Sequence, residues 1–482
     1  MKRKTTFYHI TDSHLLSPDI WVEGGAIDRR ERGDQIALKA TPQILDAFIE
    51  KILADDEADA VLFTGDNVNE GDVQSHEAFR ARLERLTAAG KRVFVTSATH
   101  DYCGAGDDEN TFRACRYTKD GTEPIPFLRK GELFGFYYDY GPKQAIDVHR
   151  ESGSYVVRLC DGVRLAMIGD NGNGRSHCGL FEDGMRWLQN ALHEAREAGE
   201  YVLLAVHHPV LPPWEVFRHM ADYELFGGYR ELYEMMCAEN VRVVFTGHTH
   251  LQSIRKYTDS AGRWFLDVST IALANAAGKM RRVTADADSG VCTVRSVGIE
   301  TLPGADAGGR SPFECLYGLN FPGILERLLP LGAHDFDAFL ALADGFLPAE
   351  KLRSHKKAIR FACRRLERMK LSAAARLSAT WKKLTPAQRK SAGRERLTDV
   401  VFEVLRHIYP GNAPYPPGTV EHTVFTGCAE KLDRFVRRFH IEALQKLVPP
   451  GSSFAEIVQD FLYNNRTGDD DAICFSLREA DS

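Results

Sequence analysis

Residues 91–102 read KRVFVTSATHDY, a short apolar run that ends on a histidine and a carboxylate. Val93, Phe94 and Val95 are the β-branched and aromatic residues that fill a buried parallel strand. The chain then delivers Thr99, His100 and Asp101 at once, polar groups for which a core has no use. Four other apolar runs end in the same way. TFYHITDSH places Asp12 and His14 beyond its strand, AVLFTGDN places Asp66 and Asn67, YVLLAVHHP places His207 and His208, and VRVVFTGHTH places His248 and His250. In open α/β sheets the carboxyl ends of the strands form the ligand crevice, so these residues are expected to converge in space.

Between these runs lie amphipathic stretches, a helix over 41–54 and another over 75–89, and the alternation predicts βαβ units. SYVVRL with VRLAMIGD, IRKYT with RWFLDVS, and MRRVTADAD with VCTVRSV are each joined by a short turn and read as hairpins. The expected fold class is therefore α/β, with two mixed β-sheets packed face to face between helices. Around 301–312 the text changes to the Gly/Pro-rich LPGADAGGRSP, which suits a linker. Beyond it apolar residues recur at helical spacing, as in AEKLRSHKKAIRFACRRLERMK. The division expected is 1–300 for the site-bearing domain, 301–312 for the linker and 313–482 for a mostly α-helical domain ending in a loose acidic tail around GDDDA.

The chain has 482 residues, long enough for two domains. A net charge of −6 gives no overall pull towards nucleic acid or acidic membranes. Ten cysteines are scattered with no CxxC pair, which excludes zinc fingers and reads as reduced thiols in a cytoplasmic protein. Thr11, Asp12 and His14 interrupt the apolar stretch that a signal peptide would need, and no run reaches the roughly 18 apolar residues of a membrane span.

Imidazole with carboxylate suits Zn, Mn, Fe, Co or Ni, and two metals roughly 3.5–4 Å apart need a bridging carboxylate. One HxH or DxH alone is an ordinary occurrence; five such exits on successive strands require a common cause. Together the motifs resemble those of the calcineurin-like metallophosphoesterase superfamily over roughly residues 5–300: DSH its DxH, GDN its GD, THD its GNH(D/E), HHP its HxP and GHTH its GHxH. The resemblance implies two divalent or mixed-valence ions (Mn, Fe or Zn). Asp12, His14, Asp66 and His250 would hold one, and Asp66 would bridge to a second held by His207 and His248. It implies a hydroxide activated between the two metals, with His100 as general acid and Asp101 orienting its imidazole. Of the pair in HHP, the position two before the proline is the family's ligand, so His208 is read as a neighbour or substrate contact. Thr99 departs from the pattern: it stands where the family has an asparagine ligand, and Ala98 stands where the family has glycine. A hydroxyl is the poorer ligand, and Asn67 or Asn69 is expected to compensate or to meet substrate.

His9, inside the first strand, reads as a packed core histidine. His177, His219 and the NGNGR stretch at 171–175 read as loop residues near the crevice. Between 351 and 396, sixteen Lys or Arg face two acidic residues, Glu367 and Glu395. A solvated helical face is the first reading of that stretch and a basic wall for phosphorylated substrate the second. Aromatic interleaving is limited to Phe361 and Trp381, which argues against a single-strand platform. The arrangement resembles bacterial cyclic-nucleotide phosphodiesterase-like members of the superfamily. The leading expectation is metal-dependent hydrolysis of a phosphodiester or phosphomonoester, small and cyclic nucleotides first. A nuclease is the alternative enzyme, and a metal-poor binding or scaffold protein is the alternative outside enzymes.

Overall fold

The apolar runs form strands buried along nearly their whole length, as expected where both faces of a sheet are covered. The chain is described by a computed structural model except for residues 1, 33, 105–112, 172–177, 220–223, 277, 303–310, 344–347, 440–447, 450, 464–467 and 479–482. Strands β1 (Lys4–Ile10), β2 (Ala60–Thr64) and β3 (Arg92–Thr96) come first, then a small ribbon of β4 (Cys115–Tyr117) and β5 (Thr122–Pro124). Next are β6 (Asp147–His149), β7 (Ser154–Cys160), β8 (Val163–Ile168), β9 (Tyr201–Val206), β10 (Val243–Thr246), β11 (Ser253–Thr258) and β12 (Trp264–Ser269). The last are β13 (Lys279–Asp286), β14 (Val291–Gly298) and β15 (Ala472–Ser476).

Two mixed sheets result, in the orders β15-β14-β13-β1-β2-β3 and β11-β12-β10-β9-β8-β7-β6. Strands β1, β2 and β3 run parallel, as do β8, β9, β10 and β12, while the three hairpins expected from sequence pair antiparallel. Strand alternation sends Phe7, Leu62 and Phe94 of one sheet and Leu165, Leu203 and Phe245 of the other into a shared core, so the sheets pack face to face. The opposite faces are covered by helices. Ile44, Leu45, Phe48 and Ile52 of the helix Thr41–Leu53 and Phe79 and Leu83 of Val73–Ala88 pack on the first sheet. Met185, Leu188 and Leu192 of Glu182–Glu197 pack on the second. His9 is fully buried, with its ring nitrogens 2.8 Å from Thr64 Oγ1 and 3.0 Å from Thr270 Oγ1, and burial lowers its pKa to about 3.

The structure corrects the expected division. One compact unit comprises Met1–Pro213, Asp222–Leu316 and Arg466–Ser482, and the other Trp214–Ala221 and Tyr317–Asn465. Most of the expected linker, 303–310, lies outside the described residues. The acidic tail is no loose end: β15 adds antiparallel to β14 and completes the first sheet. Its reason is Arg281, the bulkiest fully buried side chain. Arg281 Nη1 donates to the Asp470 carbonyl at 2.6 Å and Nη2 to the Ser269 carbonyl at 2.7 Å. A guanidinium taken out of water requires such partners, and the tail supplies them.

The second unit is helical, with helices Phe321–His334, Lys356–Arg368, Leu397–His407 and Val420–Phe439 among its members. His219 belongs to this unit rather than to an overhang: its ring lies 2.6 Å from Asp460 Oδ2 and 2.6 Å from Ser452 Oγ. In the basic stretch the helix Lys356–Arg368 has no fully buried residue, which fits a solvated face. Trp381 has two guanidiniums near its ring centre, Arg376 at 4.8 Å and Arg389 at 5.6 Å.

Candidate metal centre

Backbone bonds join the loop after β1 to that after β2 and the loop after β9 to that after β10, while the Asp66, Asp101 and Asp12 carboxylates, accepting from backbone N–H groups, tie in the loop after β3 and link the β10 loop to the β1 loop. Asp12 N donates to the Gly65 carbonyl (3.1 Å), His14 N to the Asp66 carbonyl (2.9 Å) and Gly247 N to the His207 carbonyl (2.8 Å). Glycine is required at position 65, where φ is +98° and a Cβ would lie 2.6 Å from that of Ala98. More telling is the backbone of the polar residues themselves. Asp12 (φ 49°), His14 (41°), Asp66 (49°), His248 (69°) and His250 (57°) all adopt the left-handed conformation. Each such residue costs of order 1–3 kcal/mol unless its surroundings hold it there, and such strain gathers at functional sites.

This strain aims the side chains at one another. Asp12, His14 and His250 each bring a donor atom within 4.8 Å of the others, and so do Asp66, His207 and His248, and His14, Asp66 and His100. His207 Nε2 lies 3.1 Å from Asp66 Oδ2, His250 Nε2 lies 3.4 Å from Asp12 Oδ1, and His14 Nε2 lies 3.9 Å from Asp66 Oδ2. Burial alone would raise the two carboxyls, but the imidazole of His207, with His14 and others beside it, outweighs burial and holds both well below the usual carboxylate range. Burial and the neighbouring His208 lower His248 to about 4, which keeps its ring neutral and able to ligate. Asp12 Oδ1 is buried with no hydrogen-bond partner among the described residues, a lone pair left for something else.

His100 lies at the rim of this cluster. Its Nδ1 is 2.6 Å from the Asn69 carbonyl; a carbonyl only accepts, so Nδ1 carries the proton and Nε2 is the nitrogen left for chemistry. Its ring packs edge-on against His14, with centroids 4.6 Å apart. Thr99 is buried in the same short 3-10 turn, Thr99–Asp101.

The surroundings of Asp101, Asn67, Asn69 and His208 differ from or narrow what the sequence suggests. Asp101 does not serve as the orienting carboxylate for His100: its oxygens accept from the backbone N–H groups of Asn67 (2.8 Å), Val68 (3.0 Å) and Ala98 (2.8 Å), and it pins the loops after β2 and β3 together. Burial, with Asp66 nearby, raises it to about 7. Asn67 and Asn69, read as substrate contacts, are both buried; Asn67 Nδ2 donates to the Thr96 carbonyl at 2.9 Å, and Asn69 holds His100 through its own carbonyl. His208 is likewise buried, its Nδ1 2.9 Å from Asp170 Oδ2 and its ring 4.1 Å from that of His248. It stands beside a candidate ligand, the first of the two roles expected of it. The NGNGR stretch from 172 on and His177 lie outside the described residues.

Two residues of the site were not singled out from sequence. Asp170 follows β8 in AMIGDN and repeats the GD of FTGDN, a signal that was present. Glu224 Oε2 lies 2.8 Å from His248 Nε2, leaving Nδ1 as the nitrogen facing the cluster; nothing in its sequence neighbourhood announces it.

The sequence profile of the calcineurin-like phosphoesterase family matches residues 5–252 and takes in all five strand exits. The chain belongs to that family. A cAMP/cGMP dual specificity phosphodiesterase of Mycobacterium tuberculosis is 24% identical over 248 residues, 50% of this chain and 60% of that protein. A Rhodococcus erythropolis protein named "Probable cyclic nucleotide phosphodiesterase" is 21% identical over 243 residues, 50% of this chain and 64% of that one. The chain thus spans less than two thirds of either relative's length. A dimetal phosphatase from Danio rerio superposes on 61% of this chain and 96% of its own, at 13% identity and a TM-score of 0.44. Among the described residues no helix is long and apolar enough to cross a membrane, and all ten cysteines are free.

Proposed function

We propose that this chain is a metal-dependent phosphoesterase whose substrates are small phosphodiesters or phosphomonoesters, with small nucleotides, cyclic ones included, as the leading class. The observation that carries the reading is the set of five left-handed residues that turn two carboxylates and three imidazoles into one cluster. The donor set fits a pair of borderline divalent cations, because it is imidazole and carboxylate only and leaves Asp12 Oδ1 without a hydrogen bond among the described residues, with imidazole nitrogens 3.4–3.9 Å away. Asp12, His14, Asp66 and His250 would hold one ion, and Asp66, His207 and His248 the second. Bound there, the pair supplies Lewis-acid polarisation of a phosphoryl oxygen and a water of lowered pKa.

The remaining chemistry belongs to the protein. His100, its Nδ1–H held by the Asn69 carbonyl, would act as the imidazolium: the second proton, on Nε2, passes to the leaving oxygen and the ring returns to its neutral Nδ1–H form. Asp101 keeps the loops that carry Asp66 and His100 in register, and the Asp170–His208 pair keeps the ring of His248 in place. The names of the two relatives support nucleotides as the substrate class. Elemental analysis of protein purified without chelator, run beside a phosphoester panel with Mn, Fe and Zn added back, tests the whole reading. Failure to hydrolyse any member of the panel with metal bound would sink it.

Neighbouring residues in one turn separate two roles. His100→Ala should lower kcat by about 10²–10⁴-fold, the usual contribution of a general acid, and leave metal content unchanged. Thr99→Asn, which puts a longer carbonyl in place of a hydroxyl, should lower the metal concentration for half-maximal activity by roughly ten- to a hundredfold. Loss of metal from His100→Ala together with an unchanged titration for Thr99→Asn would exchange these assignments.

A further inference from the structure

Between the ends of β3 and β8 lies a cavity of about 240 Å³ that none of the metal-centre donors lines. Its walls include Thr96, Phe134, Arg150, Glu151 and Asn171, and a smaller chamber of about 150 Å³ shares Glu151 and Asn171 with it. Two of the wall residues are polar, buried and unsatisfied. Thr96 is 4% exposed and Asn171 8%, and neither Thr96 Oγ1 nor Asn171 Oδ1 has a hydrogen-bond partner among the described residues. Native proteins seldom leave such atoms unpaired, because a buried acceptor without a donor is costly; a ligand that supplies the donor recovers that cost on binding.

The lining says what kind of ligand. An amide oxygen asks for an N–H or O–H group, which phosphate and carboxylate anions do not offer. Phe134 and the Arg150 guanidinium, 5.7 Å from its ring centre, bring an aromatic ring and a planar cation to the wall, and a flat ligand can stack on a guanidinium plane. A volume below the roughly 300–1,000 Å³ of common drug-sized sites suits a single ring system. These features together select a planar ring with N–H donors on its edge, the chemistry of a nucleobase.

The cavity also stands in the right place. Ser97 lines it and comes three residues before His100, a reach of at most about 11 Å. Asn171 directly follows Asp170, whose carboxylate holds His208. A ring seated here leaves an attached phosphoester within reach of the metal cluster. We propose that this cavity is the base-recognition subsite of the protein, with Asn171 and Thr96 reading the ring edge and so selecting which phosphoester meets the cluster. Its role in turnover rests on the phosphoesterase reading above; its ability to bind a base does not.

Calorimetry on the full chain with adenosine, which has no phosphate, tests the binding alone. Saturable binding is expected, weakened about tenfold or more in Thr96→Val, which keeps the side-chain shape, and in Asn171→Leu. In turnover, both variants should lower kcat/KM for adenosine 3′,5′-cyclic phosphate by a similar factor. Both should leave hydrolysis of bis(p-nitrophenyl) phosphate, which has no base, within twofold. Unchanged melting temperatures establish that each variant is folded. Absence of adenosine binding to the wild-type chain, equal binding by the folded variants, or displacement of adenosine by inorganic phosphate alone would each overturn the subsite. Adenosine binding that the variants weaken, in a chain that hydrolyses neither ester with metal bound, would overturn the phosphoesterase reading and keep the subsite.

Discussion

Asp66→Ala should leave a folded protein that retains neither metal and hydrolyses phosphoesters at least about 10³-fold more slowly, a loss of roughly 4 kcal/mol or more in barrier lowering. Asp66 stands at the junction of the cluster: Oδ1 accepts from His100 N at 2.9 Å, while Oδ2 is 3.1 Å from His207 Nε2 and 3.9 Å from His14 Nε2. It lies within reach of donors of both proposed ions, and with Oδ2 nearer to His207 than Asp12 Oδ1 is (3.1 against 3.9 Å) it is the better placed bridge, so its removal takes a ligand from each. Alanine also has to adopt the left-handed backbone found at this position (φ 49°), which costs about 1–2 kcal/mol. Asp66→Asn separates the two effects, since asparagine tolerates that backbone and keeps the shape while losing the charge. Both variants should fall below one equivalent of metal by elemental analysis. Retention of two equivalents by either would remove Asp66 from the bridging position.

The convergence of the candidate metal ligands was legible because these residues stand where a buried strand stops, and a polar pair after an apolar run is visible one strand at a time. The direction in which a side chain leaves such a turn is not visible. Asp101 follows His100 directly, yet the 3-10 turn sends its carboxylate to the N–H groups of Asn67, Val68 and Ala98. For the same reason the sequence leaves Asn67 open as a ligand or substrate contact and His208 as a neighbour or substrate contact, and both are buried. The helical character of the region beyond 313 could be read from its periodicity. That Trp214–Ala221 belongs to the helical unit could not: its anchors, among them Trp214 Nε1 donating to the Asp460 carbonyl at 2.9 Å, come from far along the chain. The tail was misread because β15 is five residues long, and the partner that gives its acidic prelude a purpose is nearly two hundred residues upstream.

Removing residues 469–482 should therefore strongly destabilise the first unit instead of trimming a loose end. Arg281 is fully buried, and burial lowers its pKa to about 10 even with Asp471, Asp470 and Asp469 nearby to support the charge. Without the tail it loses the Asp470 carbonyl, and Lys279 loses the Asp471 carboxylate at 2.7 Å. Leaving a buried charge without its partner costs roughly 3–5 kcal/mol. The buried side chains of Phe475 and Leu477 go as well, at about 1.5–3 kcal/mol each. Against a total stability of about 5–15 kcal/mol, the loss takes most or all of what holds the unit folded. The same reasoning makes Arg281→Met context-dependent. In the full chain it should destabilise by removing a well-bonded guanidinium and leaving the Asp470 and Ser269 carbonyls short of a donor. In the truncated chain it should be neutral or stabilising, since it replaces an uncompensated charge by an apolar side chain of similar length. Denaturant unfolding of the four proteins gives the coupling between Arg281 and the tail directly. A truncated chain that melts within about 2 °C of the full one, or equal effects of Arg281→Met in both backgrounds, would mean that the tail only rests against the sheet edge.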